Sequence, residues 1–366
     1  MRVLILGVGD AQADAIEFCR EQGYEVFGCS YTNTEKAIKL LHHFSQRNII
    51  DLRSICEYAA EQNVDAVYSV GSDIAMPTVC YVSEQLGLPH FISYRTAVIC
   101  NHKHEMRETL GQDFKGNAPY IVASSKEELA AFNFYPGIIK PVDSQGQRGV
   151  CRVDSLEEAE MQFDHACEFS KEGKVILEKF LDGPEVSVNA YFHENKMVFG
   201  IVSDRISFKE YPGGIIKEHY IPSIVSPDTE TKILDLCRRV AEKLGISEGP
   251  CYYQIKIVEK DPYLLEVTPR LDGCHMWRLI KEYTGIDLMH ITFCHLLSGK
   301  VDLEAFKPSK ESKPVQTVFM TQAPGTIVKK QEYPNALRVV WYYDEGDTVR
   351  KMNGYMEKCG YRIEYR

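Results

Sequence analysis

No apolar run in the 366 residues approaches the length of a membrane span, so no membrane-embedded function is expected. The opening M-R-V-L-I-L-G-V-G-D reads as a strand and not as a signal peptide. Positive charge is in the minority. Against 52 Asp and Glu stand 42 Lys and Arg, a net charge of −10, which excludes non-specific nucleic-acid binding but leaves room for a local basic pocket. The chain has no C-x-x-C and no metal-binding spacing, and its closest cysteines, Cys19 and Cys29, are ten positions apart. The twelve cysteines therefore read as reduced core thiols of a cytoplasmic protein. No G-K-[ST] closes a Walker loop, and there is no Ser-His or Cys-His signature, internal repeat or low-complexity segment. What is present is ordinary for a soluble globular protein, 44% apolar and 26% charged, and long enough for two or three domains.

Residues 1 to about 95 alternate strand and helix patterns, as in a parallel, doubly wound unit. Val3–Leu6, Glu25–Cys29 and Asp65–Val70 are expected strands, with helices over 11–22 and 51–62. Gly7-Val8-Gly9 resembles the start of a dinucleotide fingerprint, but Gln12 holds the third glycine position. The second strand ends on Ser30-Tyr31, without the ribose-binding acid, which disfavours a dehydrogenase. The loop Gly71-Ser72-Asp73 opens at a strand's carboxyl end, where such sheets bind ligands and where a solvated turn fits as well.

Asn101 reads as the N-cap of a helix whose first turn holds Lys103. A cation there opposes the helix dipole, so Lys103 faces either a bound anion or solvent. The stretch Y-P-G-I-I-K-P-V-D-S-Q-G-Q-R-G-V, residues 135–150, reads as a strand ending on Lys140-Pro141, a small-residue loop from Asp143 to Gly149, and a second strand. Ser144, Gly146 and Gly149 let backbone N–H groups approach an anion beside Lys140, a combination suited to polyphosphate; a β-hairpin with a solvated lysine is the alternative. Helical patterns follow at 124–132 and 155–170, then the strand Val175–Phe180, a turn at Leu181–Pro184 and the strand Glu185–Tyr191. Glu178 and Glu185 flank that turn and either accept bonds from ribose hydroxyls or face water. A strand pair is expected near 196–208 and a helix over 228–244. Strands at Gly249–Val258 and Tyr263–Arg270 place Gln254 and Glu266 on adjacent strands, where both can offer oxygen to a hard cation. A carboxylate on an apolar strand needs a partner, so pairing of Glu266 with Lys256 or Arg270 is the structural alternative.

The order of these parts resembles the ATP-grasp superfamily, nearest the branch of carbamoyl-phosphate synthetase and biotin carboxylase: K-P with a small-residue loop, E-K-F-L-x-G-x-E, Q-x-K, then E-V-x-P-R. The likeness runs to about residue 300. It implies an α/β ATP-grasp fold divided as an N-terminal α/β domain (1–100), a lid subdomain (101–190), a metal and substrate subdomain (191–305) and a β-rich extension (306–366). It also implies ATP with magnesium, or manganese in its place. Lys103 and Lys140 then contact phosphate, and the loop with Ser144, Gly146 and Gly149 closes over it. Glu178, Lys179, Phe180 and Leu181 form the adenine hinge, with Glu185 near the ribose. Gln254, Glu266 and Thr268 stand at the metal positions, and Arg270 faces the reacting carboxylate. Two positions depart from the family. Thr268 replaces the usual asparagine, and Cys274 stands where biotin carboxylases carry a glutamate.

The implied activity is a carboxylate–amine (or carboxylate–thiol) ligase that passes through an acyl phosphate, with small-molecule substrates and room for a homodimer. A bicarbonate-activating enzyme and an ATP-binding regulatory protein with degenerate catalysis are the other two readings. Asp272, Cys274, His275 and Arg278 are candidates for substrate contact or belong to a plain loop.

Overall fold

Strand β1 (Arg2–Leu6) is buried almost end to end, as the centre of a parallel sheet requires. Its side chains divide by alternation: Leu4 and Leu6 enter one core, Val3 and Ile5 another on the opposite face. A computed structural model describes residues 1–143, 148–211, 215–351 and 355–366. The N-terminal unit continues with α1 (Asp10–Glu21), β2 (Glu25–Ser30), β3 (His43–Gln46), α2 (Leu52–Glu61), β4 (Ala66–Tyr68), α3 (Met76–Leu86), α4 (Tyr94–Asn101) and α5 (Lys103–Leu110). Its four parallel strands lie in the order β3-β2-β1-β4. Gly7 has φ +86 and Gln12 takes the place of a third glycine by capping α1: its Oε1 accepts the Gly9 N–H at 3.0 Å.

The middle unit consists of β5 (Tyr120–Ala123), β6 (Gly137–Pro141), β7 (Cys151–Val153), α6 (Leu156–Cys167) and β8 (Val175–Lys179). Its strands form an antiparallel sheet, β5-β8-β6-β7, with its own core around Leu129, Phe132 and Phe163. The third part consists of β9 (Glu185–His193), β10 (Lys196–Ser207), β11 (Ile216–Ile221), α7 (Pro227–Leu244), β12 (Gly249–Val258), β13 (Asp261–Thr268), α8 (Met276–Thr284), α9 (Leu288–Ser298), β14 (Val315–Gln322), β15 (Arg338–Trp341) and β16 (Glu357–Tyr365). Its eight strands form one antiparallel sheet, β13-β12-β9-β10-β11-β14-β16-β15. The segment from residue 306 onward thus adds three strands to this sheet, and β9 runs across position 190.

Several local expectations need correction. Asn101 ends α4 and does not cap the next helix; the N-cap of α5 is His102, which makes no side-chain capping bond. The pattern at 124–132 forms only a 3-10 turn over Glu127–Ala131. The region 196–208 is a single long strand, paired with β9 on one edge and β11 on the other. Strand β3 had no sequence signal, because its four residues are exposed or half-buried and show no apolar alternation.

Candidate active site

Strands β6 and β8 are paired so that Ile138 lies opposite Glu178, which puts Lys140, two residues on, on the same face as that acid. Lys140 Nζ and Glu178 Oε2 are in direct contact, and Glu178 Oε1 accepts from Arg107 Nε at 2.8 Å. Arg107 is fully buried on α5 and also donates to Asn117 Oδ1 (2.9 Å) and the Leu264 carbonyl (2.8 Å). Burial pushes the Glu178 carboxyl up, but Lys140 and Arg107 outweigh it and hold it at about 2. Glu178 is therefore an ionised, doubly paired acid and not one that faces water. Burial lowers the Lys140 pKa, Glu178 opposes that, and the charges of Lys103 and Arg107 lower it further. Lys103 thus lies near Lys140, and among the described residues it makes no ion pair of its own. Two cations share the Glu178 carboxylate, and Lys103 lies close by, so the pocket presents positive charge to an anion.

The hairpin between β6 and β7 is fixed at both ends. Asp143 Oδ2 accepts the backbone N–H groups of Lys171 (2.9 Å) and Glu172 (3.1 Å). Gly149 has φ +68, and a Cβ there would stand 2.9 Å from Phe169 and 3.1 Å from Pro141, so glycine is required. Ser144 and Gly146 lie outside the described residues. A cleft of about 600 Å³ opens beside the hairpin, lined by Asn101, Lys103, Val142, Asp143 and Arg148 among others. At the expected hinge, the backbone N–H groups of Lys179 and Phe180 already donate to the carbonyls of Pro119 (2.9 Å) and Pro136 (2.8 Å). Leu181 is buried beside them.

The metal-side residues come from β12 and β13, where Gln254 lies opposite Glu266 and Tyr252 opposite Thr268. Glu266 and Thr268 therefore share a face. Glu266 pairs with neither Lys256 nor Arg270. Its neighbours are Lys103 and Asp73, and burial, only partly opposed by Lys103 and reinforced by the Asp73 charge, raises its pKa. Arg270 belongs instead to Asp73: its Nε donates to Asp73 Oδ1 at 2.9 Å, and its second nitrogen contacts the same oxygen. Burial raises the Asp73 pKa, but Arg270 and other neighbours outweigh it and leave it lowered. The Thr268 hydroxyl is buried beside Asp73 without a hydrogen bond of good geometry. Gln254 Nε2 donates to Glu185 Oε1 at 2.5 Å. Glu185 is also held by Arg205 and by Lys256, 3.6 Å away. Two adjacent carboxylates, one short of stabilising charge, and an unsatisfied hydroxyl make an oxygen-donor set that fits a hard divalent cation.

Residues 133–277 match the family model of the ATP-grasp domain. That stretch is similar to an ATP-grasp domain. The chain is 26% identical over 191 residues to an alanine–anticapsin ligase of Bacillus amyloliquefaciens, covering 45% of this chain and 39% of that protein. Over 325 residues it is 23% identical to the arginine-specific large chain of carbamoyl phosphate synthase from Geobacillus stearothermophilus, covering 82% of this chain and 30% of that one. The chain thus spans well under half of these curated relatives. Among solved structures, the phosphoribosylglycinamide synthetase of Anaerococcus prevotii superposes with TM-score 0.81 at 18% identity, covering 100% of this chain and 94% of that one. The L-amino acid ligase of Bacillus licheniformis gives TM-score 0.81 at 18% identity, covering 99% and 92%. The fold is the ATP-grasp fold throughout.

The family match includes Lys140, Glu178, Gln254, Glu266 and Arg270, but not Lys103, Arg107 or Asp73. Those three come from the N-terminal side of the matched stretch; Lys103 was expected as a phosphate contact, and Asp73 stood in a loop where such sheets bind ligands. Arg107 had a usable signal, since it stands four positions after Lys103 on the same helix. Beyond Arg270, Asp14 binds His275 Nδ1 (2.8 Å), Trp277 Nε1 (3.0 Å) and Arg278 (2.7 Å). His275 and Arg278 are thereby committed to a structural network. Asp272 has one oxygen on the Cys274 N–H (2.9 Å) and the other buried without a partner. Burial raises the Asp272 pKa against Arg270, Arg205 and Lys358, while burial lowers that of Lys358. Lys358 and Arg205 had no sequence signal as members of this group.

Proposed function

We propose that the chain is an ATP-dependent carboxylate–amine ligase that works through an acyl phosphate. The observation that carries this reading is the position of Lys103. It lies near Lys140 on one side and near Glu266 on the other, and Glu266 in turn neighbours Asp73, which holds Arg270. Polyphosphate fits the first group, a magnesium ion the second, and a carboxylate acceptor the guanidinium. Magnesium, held by Glu266 with Gln254 and Thr268 nearby, would neutralise charge on the transferring phosphoryl group. Manganese fits the same oxygen donors.

In this scheme Lys103 and Lys140 hold the phosphates and spread the charge of the transition state. The ATP-grasp hinge at Glu178–Leu181 holds the base, with contacts left to backbone carbonyls and the Leu181 end because two amides are already engaged. Arg270 orients the substrate carboxylate, whose oxygen attacks the γ-phosphorus as the bond to ADP breaks. An amine then attacks the acyl carbon, phosphate leaves, and the amine proton is lost. The buried loop from Arg270 to Cys274, with Asp272, Arg205 and Lys358, lines the acceptor side. A relative that ligates alanine to anticapsin and a structural neighbour that is an L-amino acid ligase agree with this substrate class. The twelve cysteines are all free, which fits the cytoplasm.

A screen of carboxylate and amine pairs for ADP release tests the proposal. ADP release that needs both partners supports it. Release on bicarbonate without an amine, or tight ATP binding with no turnover on any pair, overturns it.

A further inference from the structure

Far from the nucleotide site, three side chains from separate segments converge. His193 ends β9, Glu248 precedes β12, and His295 lies on α9. His193 Nδ1 is 2.9 Å from Glu248 Oε2, and His295 Nε2 is 3.5 Å from the same oxygen. All three ligand-type atoms lie within 4.8 Å of one another. The two rings meet at 87° with centroids 5.6 Å apart, so their nitrogens converge edge-on. A tetrahedral zinc with bonds of about 2.0–2.1 Å needs its ligands about 3.4 Å apart, close to what is already present.

The geometry points to a zinc-binding site formed by His193, Glu248 and His295, a set of two imidazoles and one carboxylate with the fourth position open to solvent.

The surroundings support ligation over a chance cluster. With Nε2 on a metal, His295 Nδ1 carries the proton and donates to Tyr191 Oη, 3.1 Å away inside the core. That is the outer hydrogen bond that fixes the tautomer of a ligating histidine. Glu248 is oriented as well: its other oxygen accepts the Glu194 backbone N–H at 2.8 Å. That N–H is aimed by the two-residue hairpin turn between β9 and β10, where Glu194 (φ 50) and Asn195 (φ 63) both adopt positive φ. His193 and Glu248 side chains are 22% and 31% exposed, which provides an entry path.

The site is distinct from the catalytic metal position. Glu185, in the network around Gln254, begins β9 and His193 ends it, eight residues later, a separation of about 26 Å. A bound ion there would tie the β9–β10 hairpin, the start of β12 and α9 together, so its contribution is to stability.

The full chain, stripped of metal with a chelator, is titrated with Zn2+ alone at neutral pH against a chromophoric competitor, and its melting temperature is followed in parallel. One equivalent is expected in the wild type, with a higher melting temperature in zinc. His193→Asn and Glu248→Gln, both at partly exposed positions, should lose at least ten-fold in affinity and lose the zinc-dependent stabilisation. Tyr191→Phe should weaken binding by about 10- to 100-fold, as loss of an outer hydrogen bond does. Glu266→Gln should bind zinc as the wild type does. No uptake by wild type, unchanged uptake by both His193→Asn and Glu248→Gln, or loss of uptake only in Glu266→Gln would overturn the assignment.

Discussion

Asp73 and Arg270 are 197 residues apart in the chain and meet in a charge-assisted contact, Nε to Oδ1 at 2.9 Å. Asp73 comes from the turn after β4 and Arg270 from the loop after β13, so this pair joins the N-terminal unit to the third part of the fold. Arg270→Lys keeps the charge but loses the planar fork that suits a carboxylate. The expected result is ATP affinity within about three-fold of wild type and acyl phosphate trapping by hydroxylamine reduced at least about 100-fold, the loss of one transition-state contact. Equal trapping in the variant removes Arg270 from the acceptor site.

Asp73 also controls the charge state of Glu266. Burial and the Asp73 charge raise the Glu266 pKa above its ordinary value of 4.5. A cation is held by the ionised form, so magnesium affinity should fall with decreasing pH while the pH is still above 4.5. Asp73→Asn removes the Asp73 charge that raises the Glu266 pKa, leaving burial as the main raising influence, and frees Arg270; both changes lower that pKa. The acid limb of the rate against magnesium concentration should therefore move to lower pH in this variant. A limb that stays in place or moves up contradicts the pairing. Glu266→Gln should bind ADP yet lose phosphoryl transfer at every pH, measured as ADP release.

The two lysines of the phosphate side should behave differently. Lys103 has no ion pair among the described residues, whereas Lys140 is locked to buried Glu178. Lys103→Ala should weaken ATP binding by about ten- to hundred-fold, the worth of a charge-assisted contact, with little change in melting temperature. Lys140→Ala should lose nucleotide affinity and stability together, because it leaves Glu178 with Arg107 alone. Calorimetry for affinity and thermal melting for stability separate the two. A Lys140→Ala protein as stable as Lys103→Ala would show that the buried pair contributes nothing.

The chemical residues were legible where local spacing carried them. Lys140 sits at the end of an apolar strand before small residues. Gln254 and Glu266 were legible as members of adjacent strands, but they face each other because the register set by the two-residue turn Glu259-Lys260 shifts by one residue between Gln254 and Ile255. What was not legible was partnership across long separations. Nothing near Glu178 in sequence indicates Arg107, 71 positions earlier, and nothing near Arg270 indicates Asp73. A carboxylate on an apolar strand shows that it needs a counter-charge but not which one, so the structural alternative for Glu266 named Lys256 or Arg270, its neighbours in the chain, and not Lys103. The edge strand β3 escaped detection, since its half-exposed residues have no periodicity to read. Gln12 was noticed as a departure from a glycine pattern, and its reason, capping α1, emerged only from the fold.

Glu178 should leave a signature in acid unfolding. Its carboxyl is held at about 2, against an ordinary value of 4.5, by Lys140 and Arg107 acting against burial. A depressed folded-state pKa means that the stabilisation is fully present above 4.5 and is lost as the pH falls from 4.5 toward 2, where protonation removes both ion pairs. The displacement corresponds to roughly 3 kcal/mol. Glu178→Gln is uncharged at every pH and keeps the shape, so it should be less stable than wild type at pH 7 and lose less on acidification. The difference between the two proteins should therefore shrink between pH 4.5 and 2, as read from urea unfolding at a series of pH values. Parallel stability curves over that interval would mean that Glu178 titrates as an ordinary acid. The positive charge of the pocket would then be balanced elsewhere, and the case for a phosphate at Lys140 would weaken with it.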